Sequence, residues 1–322
     1  MTYSIPVATN NGAGGLGVFG RLRVADYVRI VIMLALLAFA LSTPGFLSQA
    51  SIRSLLSAMS FVGCVAVGMT FITLSGNIMS FSLGASLAAS TVVFVATLPM
   101  GTWTAFALTL LFGAVLNGVQ GWIIGYLRAN PIIVSMAALS LIIGIMSVIT
   151  GGRGLYINDS SAAIFKLNFG MVPGPLIAFL ICAALGQLIL SFTRVGRTIM
   201  LSGSNPSALL ASGTEPWRYT TWAYCIAGIF TSVSAVLIAS RYGSGDLQHG
   251  AGFEYGAISA VLVGGTVIHG GRGSVVQTVF GTLLIAILQA VLVLRGFNAQ
   301  YQHLALGVVV LLVIVLQWKR TS

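Results

Sequence analysis

The sequence predicts an all-α polytopic membrane protein, and two observations support this fold class. The first is composition: 57 % of the 322 residues are hydrophobic and 6 % are charged, whereas an ordinary soluble domain carries about 25 % charged residues. The second is the recurrence of apolar runs of about 17 to 25 residues, the length that crosses a bilayer as a helix. Helices satisfy their own backbone hydrogen bonds in lipid and open sheets do not, so these runs are predicted to be helical.

About ten apolar segments follow one another along the chain. The segment at 255–268 is shorter than the ~20 residues that a full span needs. We interpret it as a half-helix or a re-entrant piece, which is tolerated at membrane depth only beside protein or a water-filled cavity. The segments are approximately 27–43, 55–74, 81–98, 103–127, 132–150, 174–192, 218–240, 255–268, 276–294 and 301–318.

The segments are predicted to form one transmembrane domain, residues 25–322, behind a loose cytoplasmic tail at residues 1–24. If the N-terminus is cytoplasmic, ten Lys and Arg residues fall inside and five outside, the bias that the positive-inside rule requires. Both termini are therefore predicted to be cytoplasmic. The inside residues are Arg21, Arg23, Arg29, Arg128, Arg194, Arg197, Arg218, Arg272, Lys319 and Arg320, and the outside residues are Arg53, Arg153, Lys166, Arg241 and Arg295.

The net charge of +10 does not indicate nucleic-acid binding. The basic residues lie at the ends of apolar segments and not in a patch with interleaved aromatic residues. The three cysteines lie in apolar runs and the three histidines are scattered between segments, so neither set has the spacing of a metal site or a catalytic triad. We therefore expect no metal and no catalytic residue in this chain, which disfavours an intramembrane enzyme.

The glycine-rich stretch GGTVIHGGRGS at 264–274 invites comparison with a phosphate-binding loop. Gly265 and Gly270 have the spacing of a Walker A motif, but Gly271 stands where that motif requires lysine. The dinucleotide fingerprint fails as well, because it needs a glycine where Val276 stands. We interpret the stretch as a hinge between the short segment and the next one, since glycine adopts backbone conformations closed to other residues. The hinge glycines are Gly264, Gly265, Gly270, Gly271 and Gly273.

The loop at 193–217 is predicted to carry a short helix on the cytoplasmic surface. Pro206 suits the first turn of a helix and Gly213 suits its end. A plain connecting loop is the alternative, but two leucines expected to be exposed among small residues favour a docking element. The candidate docking residues are Asn205, Pro206, Ser207, Ala208, Leu209, Leu210 and Gly213.

Three polar residues lie at the break between the second and third segments: Asn77, Ser80 and Ser82. Irregular backbone at membrane depth often borders a substrate cavity, so these residues are candidates for a translocation path. Hydrogen bonding between helices is an equally good explanation of the same residues, and both stay open at this point.

Four ordered blocks of the chain resemble the ribose-type ABC permeases, a family that handles ribose, xylose, arabinose, galactosides and autoinducer-2. The resemblance covers about residues 27 to 320. The blocks begin VGMTFITLSGNIMSFSLG at 67, ANPIIVSMAALSLIIGIMS at 129, TRVGRTIMLSGSNPSALLASG at 193 and GFEYGAISAVLVGGTVIHGGRGS at 252.

This resemblance implies a transport subunit of the bacterial inner membrane that is not itself an enzyme. Such subunits look like ten-segment permeases that dimerise, as two copies or with a sister subunit. ATP and Mg²⁺ would bind to a partner ATPase in the cytoplasm, and a periplasmic binding protein would deliver the solute. The loop at 193–217 would be the coupling element, and the loops at 151–173 and 241–254 would face the binding protein.

The chain departs from the family pattern at two acidic positions. Ser80 replaces an aspartate and Gly256 replaces a second acidic residue, while Glu254 remains. Ionisable groups within the membrane are costly and usually functional, so these changes predict a less charged path or a repacked helix contact. An ion-coupled secondary transporter is the main alternative, although all five acids fall in or beside predicted loops. A channel would leave the docking helix unexplained.

Overall fold

The computed structural model describes residues 37–157, 168–169, 172–268 and 270–318. The predicted tail at 1–24 and most of the apolar segment at 27–43 lie outside the described residues, as do the basic residues at 319–320. The last turn of that first segment is helical at 37–41.

The described chain is a bundle of helices. Seven of them, with a 3₁₀ turn at Leu98–Met100 extending α2, are long and apolar enough to cross a membrane. The helices are α1 Gln49–Leu74, α2 Leu83–Thr97, α3 Thr102–Leu127, α4 Pro131–Thr150, α5 Gly174–Phe192, α6 Arg194–Ser204, α7 Pro206–Ala211, α8 Pro216–Tyr242, α9 Phe253–Gly264, α10 Val275–Leu294 and α11 Ala299–Trp318. The seven spanning helices are α1 to α5, α8 and α10. The count of about ten segments stays a prediction.

Two antiparallel pairs of two-residue strands add to the helices. β1, Leu155–Tyr156, pairs with β4, Ser244–Gly245, and β2, Asn168–Phe169, pairs with β3, Val172–Pro173. Both pairs lie in connections between helices, so the membrane part that the structure describes is helical as predicted.

Helix starts follow from short polar side chains and proline. The Asn130 side chain accepts a hydrogen bond from the backbone N–H of Ile132 at 2.9 Å, ahead of Pro131 in the first turn of α4. Asn205 does the same for the N–H of Ala208 at 3.0 Å, ahead of Pro206 in α7. These caps satisfy backbone donors that have no partner within the helix.

Close backbone contacts place α8 at the centre of the bundle. A Cβ atom at Gly228 of α8 would overlap the carbonyl oxygen of Gly113 in α3. On another side of α8, a Cβ at Gly68 of α1 would lie 2.8 Å from the carbonyl oxygen of Ala227. Small residues allow helix backbones to approach, and van der Waals packing then stabilises the contact in a membrane.

The spanning helices alternate in direction and so give the bundle two ends. The end that carries residues 98–101, 151–157 and 243–252 is called the strand end here. The opposite end carries residues 75–77, 128–130, 193–215 and 265–274, and is called the short-helix end because α6 and α7 lie there.

Two helices begin inside the bundle and not at its ends. Before α2 the chain is irregular at 75–82 and runs back alongside α1, where the N–H of Ser80 lies 3.5 Å from the sulfur of Met69. Before α9 the loop at 243–252 runs along α2, with Gly250 packed on the carbonyl oxygen of Gly84. At 12 residues, α9 is about 18 Å long, well short of the ~30 Å hydrocarbon core.

Candidate functional site

A buried polar network occupies the contact between α2 and α3. The hydroxyl oxygens of Ser80 and Ser82 lie 2.9 Å apart, and Ser82 donates to Oε1 of Gln120 at 2.8 Å. One turn further along α2, Oγ of Ser86 accepts a hydrogen bond from Nδ2 of Asn117 at 2.6 Å. All five side chains are buried. The network therefore connects the start of α2 with the middle of α3.

Asn77 lies apart from the two serines that the sequence grouped with it. Its Nδ2 donates to Oγ of Ser75 at 2.8 Å, and it lines a pocket of about 850 Å³ at the short-helix end. Of the three candidate path residues, Asn77 therefore lines this pocket, whereas Ser80 and Ser82 belong to the buried polar network. The bond from Ser82 to Gln120 joins two helices, which is the alternative explanation given above, and Ser80 bonds to Ser82. Their role in a path stays a prediction.

Glu254 is a buried acid that the sequence reasoning placed beside a loop. It lies in the first turn of α9 and is 7 % exposed. Its carboxylate packs against Gly84 in the first turn of α2, where a Cβ atom would overlap Oε2. Glu254 thus lies where the first turns of α2 and α9 meet inside the bundle. Glu254 directly follows the loop at 243–252, as predicted for an acid beside a loop, but it is buried inside the bundle.

The glycines of the 264–274 stretch form a junction at the short-helix end. The N–H of Gly271 donates to the carbonyl oxygen of Leu74, the last residue of α1, at 3.0 Å. Gly270 packs on Gly76, and Gly271 packs on Ser204 at the end of α6. Gly270 and Gly271 have φ angles of +84° and +72°, the left-handed region that favours glycine. The junction therefore joins the ends of α1 and α6 to the loop before α10.

Gly264 and Gly265 lie at the end of α9, whereas the other three candidate hinge residues lie in the loop before α10. Gly264 is still helical, and a Cβ atom there would overlap the carbonyl oxygen of Gln277 in α10. Gly265 ends α9 with a φ of +103°. Gly273 lies near the side chain of Thr266 across the loop. The stretch bends the chain between α9 and α10, and its action as a hinge stays a prediction.

The short helix predicted in the 193–217 loop corresponds to α7, Pro206–Ala211. Its two leucines face different directions, since Leu209 is 2 % exposed and Leu210 is 52 % exposed. The expectation that both would be exposed is wrong for Leu209, because successive helical residues point about 100° apart. Asn205, Pro206, Ser207 and Ala208 are exposed, as is Gly213, whose φ of +77° follows the end of the helix.

The neighbouring helix α6 fastens α7 to the bundle. Ile199 is fully buried, and Gly196 packs on the carbonyl oxygen of Ile189 in α5. At the other end of α6, a Cβ atom at Gly203 would overlap the carbonyl oxygen of Leu74. Arg197, on the opposite face, is exposed. One face of α6 is thus packed on α5 and α1, which connects α7 to two helices of spanning length.

The pocket at the short-helix end opens beside α7. Leu210 and Asn77 line it together with Trp217 at the start of α8. The indole N–H of Trp217 donates to the carboxylate of Glu215 at 3.0 Å, and the same carboxylate pairs with Arg218 at 2.9 Å. This end therefore carries a recess that is lined by exposed Leu210 and by Trp217. At its edge, Glu215 pairs with Arg218.

Sequence reasoning missed the partners of the α2 serines and the burial of Glu254. Asn117 and Gln120 are three residues apart within an apolar run, which places them on one face of a helix. That spacing was the available signal for a polar face on α3. Nothing in the local sequence indicated that the start of α9 would meet the start of α2.

Apolar helices of spanning length, a buried polar network and two helices that begin inside the bundle define a polytopic helical membrane protein. A family model described as "Branched-chain amino acid transport system / permease component" matches residues 51–315. The chain belongs to this family.

The curated relatives of this chain are permeases of sugar-type ABC importers. The chain is 28 % identical to the ribose import permease protein RbsC of Haemophilus influenzae over 90 % of this chain and 91 % of the relative. It is 30 % identical to the RbsC protein of Bacillus subtilis, over 90 % and 92 %. It is 31 % identical to the autoinducer 2 import system permease protein LsrD of Escherichia coli K12, over 88 % and 89 %. No solved structure matches the chain. The resemblance to ribose-type permeases is confirmed.

Proposed function

We propose that this protein is the membrane subunit of a binding-protein-dependent ABC importer for a sugar or sugar-like solute. The similarity to import permeases for ribose and autoinducer 2 over about nine-tenths of the chain carries the proposal. In this function the chain forms the path and holds no ATPase site. ATP and Mg²⁺ bind to a separate ABC ATPase in the cytoplasm.

The ATPase docks on α7 at the short-helix end, which then faces the cytoplasm. Leu210 is the exposed apolar side chain of α7, and Leu209 anchors the same helix to the bundle. Closure of the ATPase dimer moves α6 and α7 as a rigid unit. Since Gly203 and Gly271 both pack at the end of α1, the movement reaches a central spanning helix. Rigid-body shifts of packed helices are a common way to alternate access.

The strand end then faces the periplasm, where the binding protein delivers the solute to the loops at 151–173 and 241–254. A second permease subunit completes the path, as a second copy or a sister chain. The protein sits in the bacterial inner membrane with both termini in the cytoplasm.

The ion-coupled alternative has one supporting observation, the buried carboxylate of Glu254. Such transporters place ionisable residues within the membrane to couple ion movement. Uptake in proteoliposomes separates the two mechanisms. ATP-driven uptake that persists with an ionophore supports the importer, and uptake that follows an imposed ion gradient without ATP supports the alternative.

The docking surface is tested by Leu210→Arg in co-purification with a candidate ABC ATPase of the source cell. We expect the substitution to remove the ATPase, because an apolar contact is replaced by a charge that must be desolvated. Met100→Arg is the matched control, since Met100 is 70 % exposed and lies at the strand end. It should leave the ATPase bound.

Retention of the ATPase by Leu210→Arg, with normal stimulation of ATP hydrolysis, would contradict the assignment of α7 as the docking helix. Equal loss in Leu210→Arg and Met100→Arg would show only general damage, so the size-exclusion profile of both variants is recorded first.

A further inference from the structure

A pocket of about 310 Å³ lies at the strand end, separate from the recess beside α7. Five elements form it: the first half of α1, the end of α8, the start of α9, α10 and α11. Its floor is formed by buried Ser57, Phe61 and Gly256, and its mouth by exposed Tyr242 and His303. This volume is at the lower end of the range for small-molecule sites, about 300–1,000 Å³.

The polar groups of this strand-end pocket are hydroxyls, amides, one guanidinium and the imidazole of His303. Ser54 and Ser57 contribute hydroxyls, and Gln289 and Gln302 contribute amides. The guanidinium of Arg241 donates to Oγ of Ser57 at 3.4 Å. Among the described lining residues there is no carboxylate. The pocket therefore offers uncharged donors and acceptors plus one cation.

Gln289 is the most informative of these residues. It is the polar side chain in an otherwise apolar run, LLIAILQAVLVL, of α10. Within the described chain its amide makes no hydrogen bond, although it lines the pocket. Gln289 is half-buried, so its amide is accessible from the pocket, where water or a polar solute can bond to it.

Aromatic and aliphatic surfaces complete the pocket. Phe61, Tyr242 and Phe253 line it beside the hydroxyls and amides. The carboxylate of Glu254 packs against Gly84 on α2 and is not among the lining groups. Gly256 has no side chain, and a Cβ atom there would lie 3.2 Å from Val62, so glycine keeps the floor open. Directed hydrogen-bonding groups between apolar faces fit a compact solute with many hydroxyls.

We propose that the strand-end pocket binds an uncharged polyhydroxylated solute of monosaccharide size. The solute's hydroxyls bond to Gln289, Gln302 and Ser57, and its C–H faces rest on the aromatic rings. The proposal rests on the proposed function as a sugar-type permease, and it places a solute site within this chain on the side where the binding protein docks.

Protection of an introduced cysteine tests the site without any ATPase. The three native cysteines are replaced by alanine and Ser54→Cys is introduced, because Ser54 is exposed and lines the pocket. The chain in lipid nanodiscs is labelled with a water-soluble maleimide, with and without D-ribose. A site with a Kd of about 1 mM is about 90 % occupied at about 10 mM ribose, which slows labelling about tenfold.

Met100→Cys in the same background is the control, since this position is exposed at the strand end and does not line the pocket. L-leucine serves as a probe of another class. The expected result is protection of Ser54→Cys by ribose, none by leucine, and none at Met100→Cys. Adding Gln289→Leu to Ser54→Cys should raise the protecting concentration of ribose about tenfold.

The proposal is overturned if ribose leaves the labelling of Ser54→Cys unchanged. It is equally overturned if leucine protects as well as ribose does, or if Met100→Cys is protected to the same degree. Because no nucleotide or ATPase is present, failure of the proposed ATP-driven function would appear in proteoliposome uptake and not in this experiment.

Discussion

Helices α4 and α8 both span the membrane, and their surroundings are opposite. In α8, 78 % of the most apolar window is buried, whereas in α4 only 17 % is buried. Yet α4 is the more apolar of the two, and α8 carries threonine, serine and tyrosine along its length. In a soluble protein the more apolar helix would be the inner one. In lipid the hydrocarbon solvates apolar side chains, so apolarity does not drive a helix inward.

Small and polar residues explain the position of α8. Gly228 meets Gly113 of α3 without intervening side chains. Ser232 lies 3.3 Å from Ser90 of α2, and the hydroxyl of Ser234 donates to the carbonyl oxygen of Phe61 in α1 at 2.8 Å. Close packing and hydrogen bonds are the interactions that favour one helix contact over another within a membrane. Helix α4 has glycine too, at Gly144, but no other part of the described chain lies within 4 Å of its Cβ position.

The largest effect is expected from Gly228→Leu. The new side chain would overlap the backbone of α3, and we expect a loss of about 3 kcal/mol or more in the free energy of unfolding. Gly144→Leu is the matched control and should change it by less than about 0.5 kcal/mol. Thermal unfolding in detergent measures both. Equal effects would show that the difference in packing between α8 and α4 does not determine stability.

A smaller effect is expected from Ser82→Ala, which removes the donor to Gln120. The cost should be about 1 kcal/mol, since the amide oxygen is left buried without a partner. Ser140→Ala, on the exposed face of α4, should cost less than about 0.5 kcal/mol. In the double variant Ser82→Ala/Gln120→Leu, the two effects should be less than additive because the residues share one bond. Full additivity would mean that the bond does not stabilise the α2–α3 contact.

The smallest effect concerns His249, in the loop that runs along α2. Burial lowers the pKa of this imidazole, and the nearby Asp246 carboxylate acts in the opposite direction. Because the folded-state pKa is lowered, the neutral form is favoured in the folded protein. The contribution of His249 to the free energy of unfolding should therefore be fully present above pH ~6.5 and should fall as the pH drops below that value.

His249→Gln should reduce that pH dependence. The measurement is the difference in melting temperature between about pH 7.5 and about pH 5.5 for both chains. An unchanged difference in the variant would show that another group is responsible for the acid sensitivity.

Much of the site could be predicted where local signals existed. The start of α7 at Pro206 follows from its asparagine cap and proline, and the end of α9 follows from the glycine pair at 264–265. The division of Asn77 from Ser80 could not be predicted, since it depends on how the irregular stretch at 75–82 folds back on α1. The burial of Leu209 beside exposed Leu210 depends on the rotation of a six-residue helix.

The sequence by itself determined that this is a helical membrane protein, approximately where seven helices of spanning length lie, and that it resembles a sugar-type permease. Composition, segment length and ordered motifs are local properties, and each can be read without knowing which helices touch. Only the tertiary structure decided that α8 lies inside and α4 outside, that Glu254 packs on Gly84, and that five elements enclose the strand-end pocket. The physical reason is that lipid solvates every apolar face alike, so the arrangement depends on backbone contacts and hydrogen bonds between distant residues.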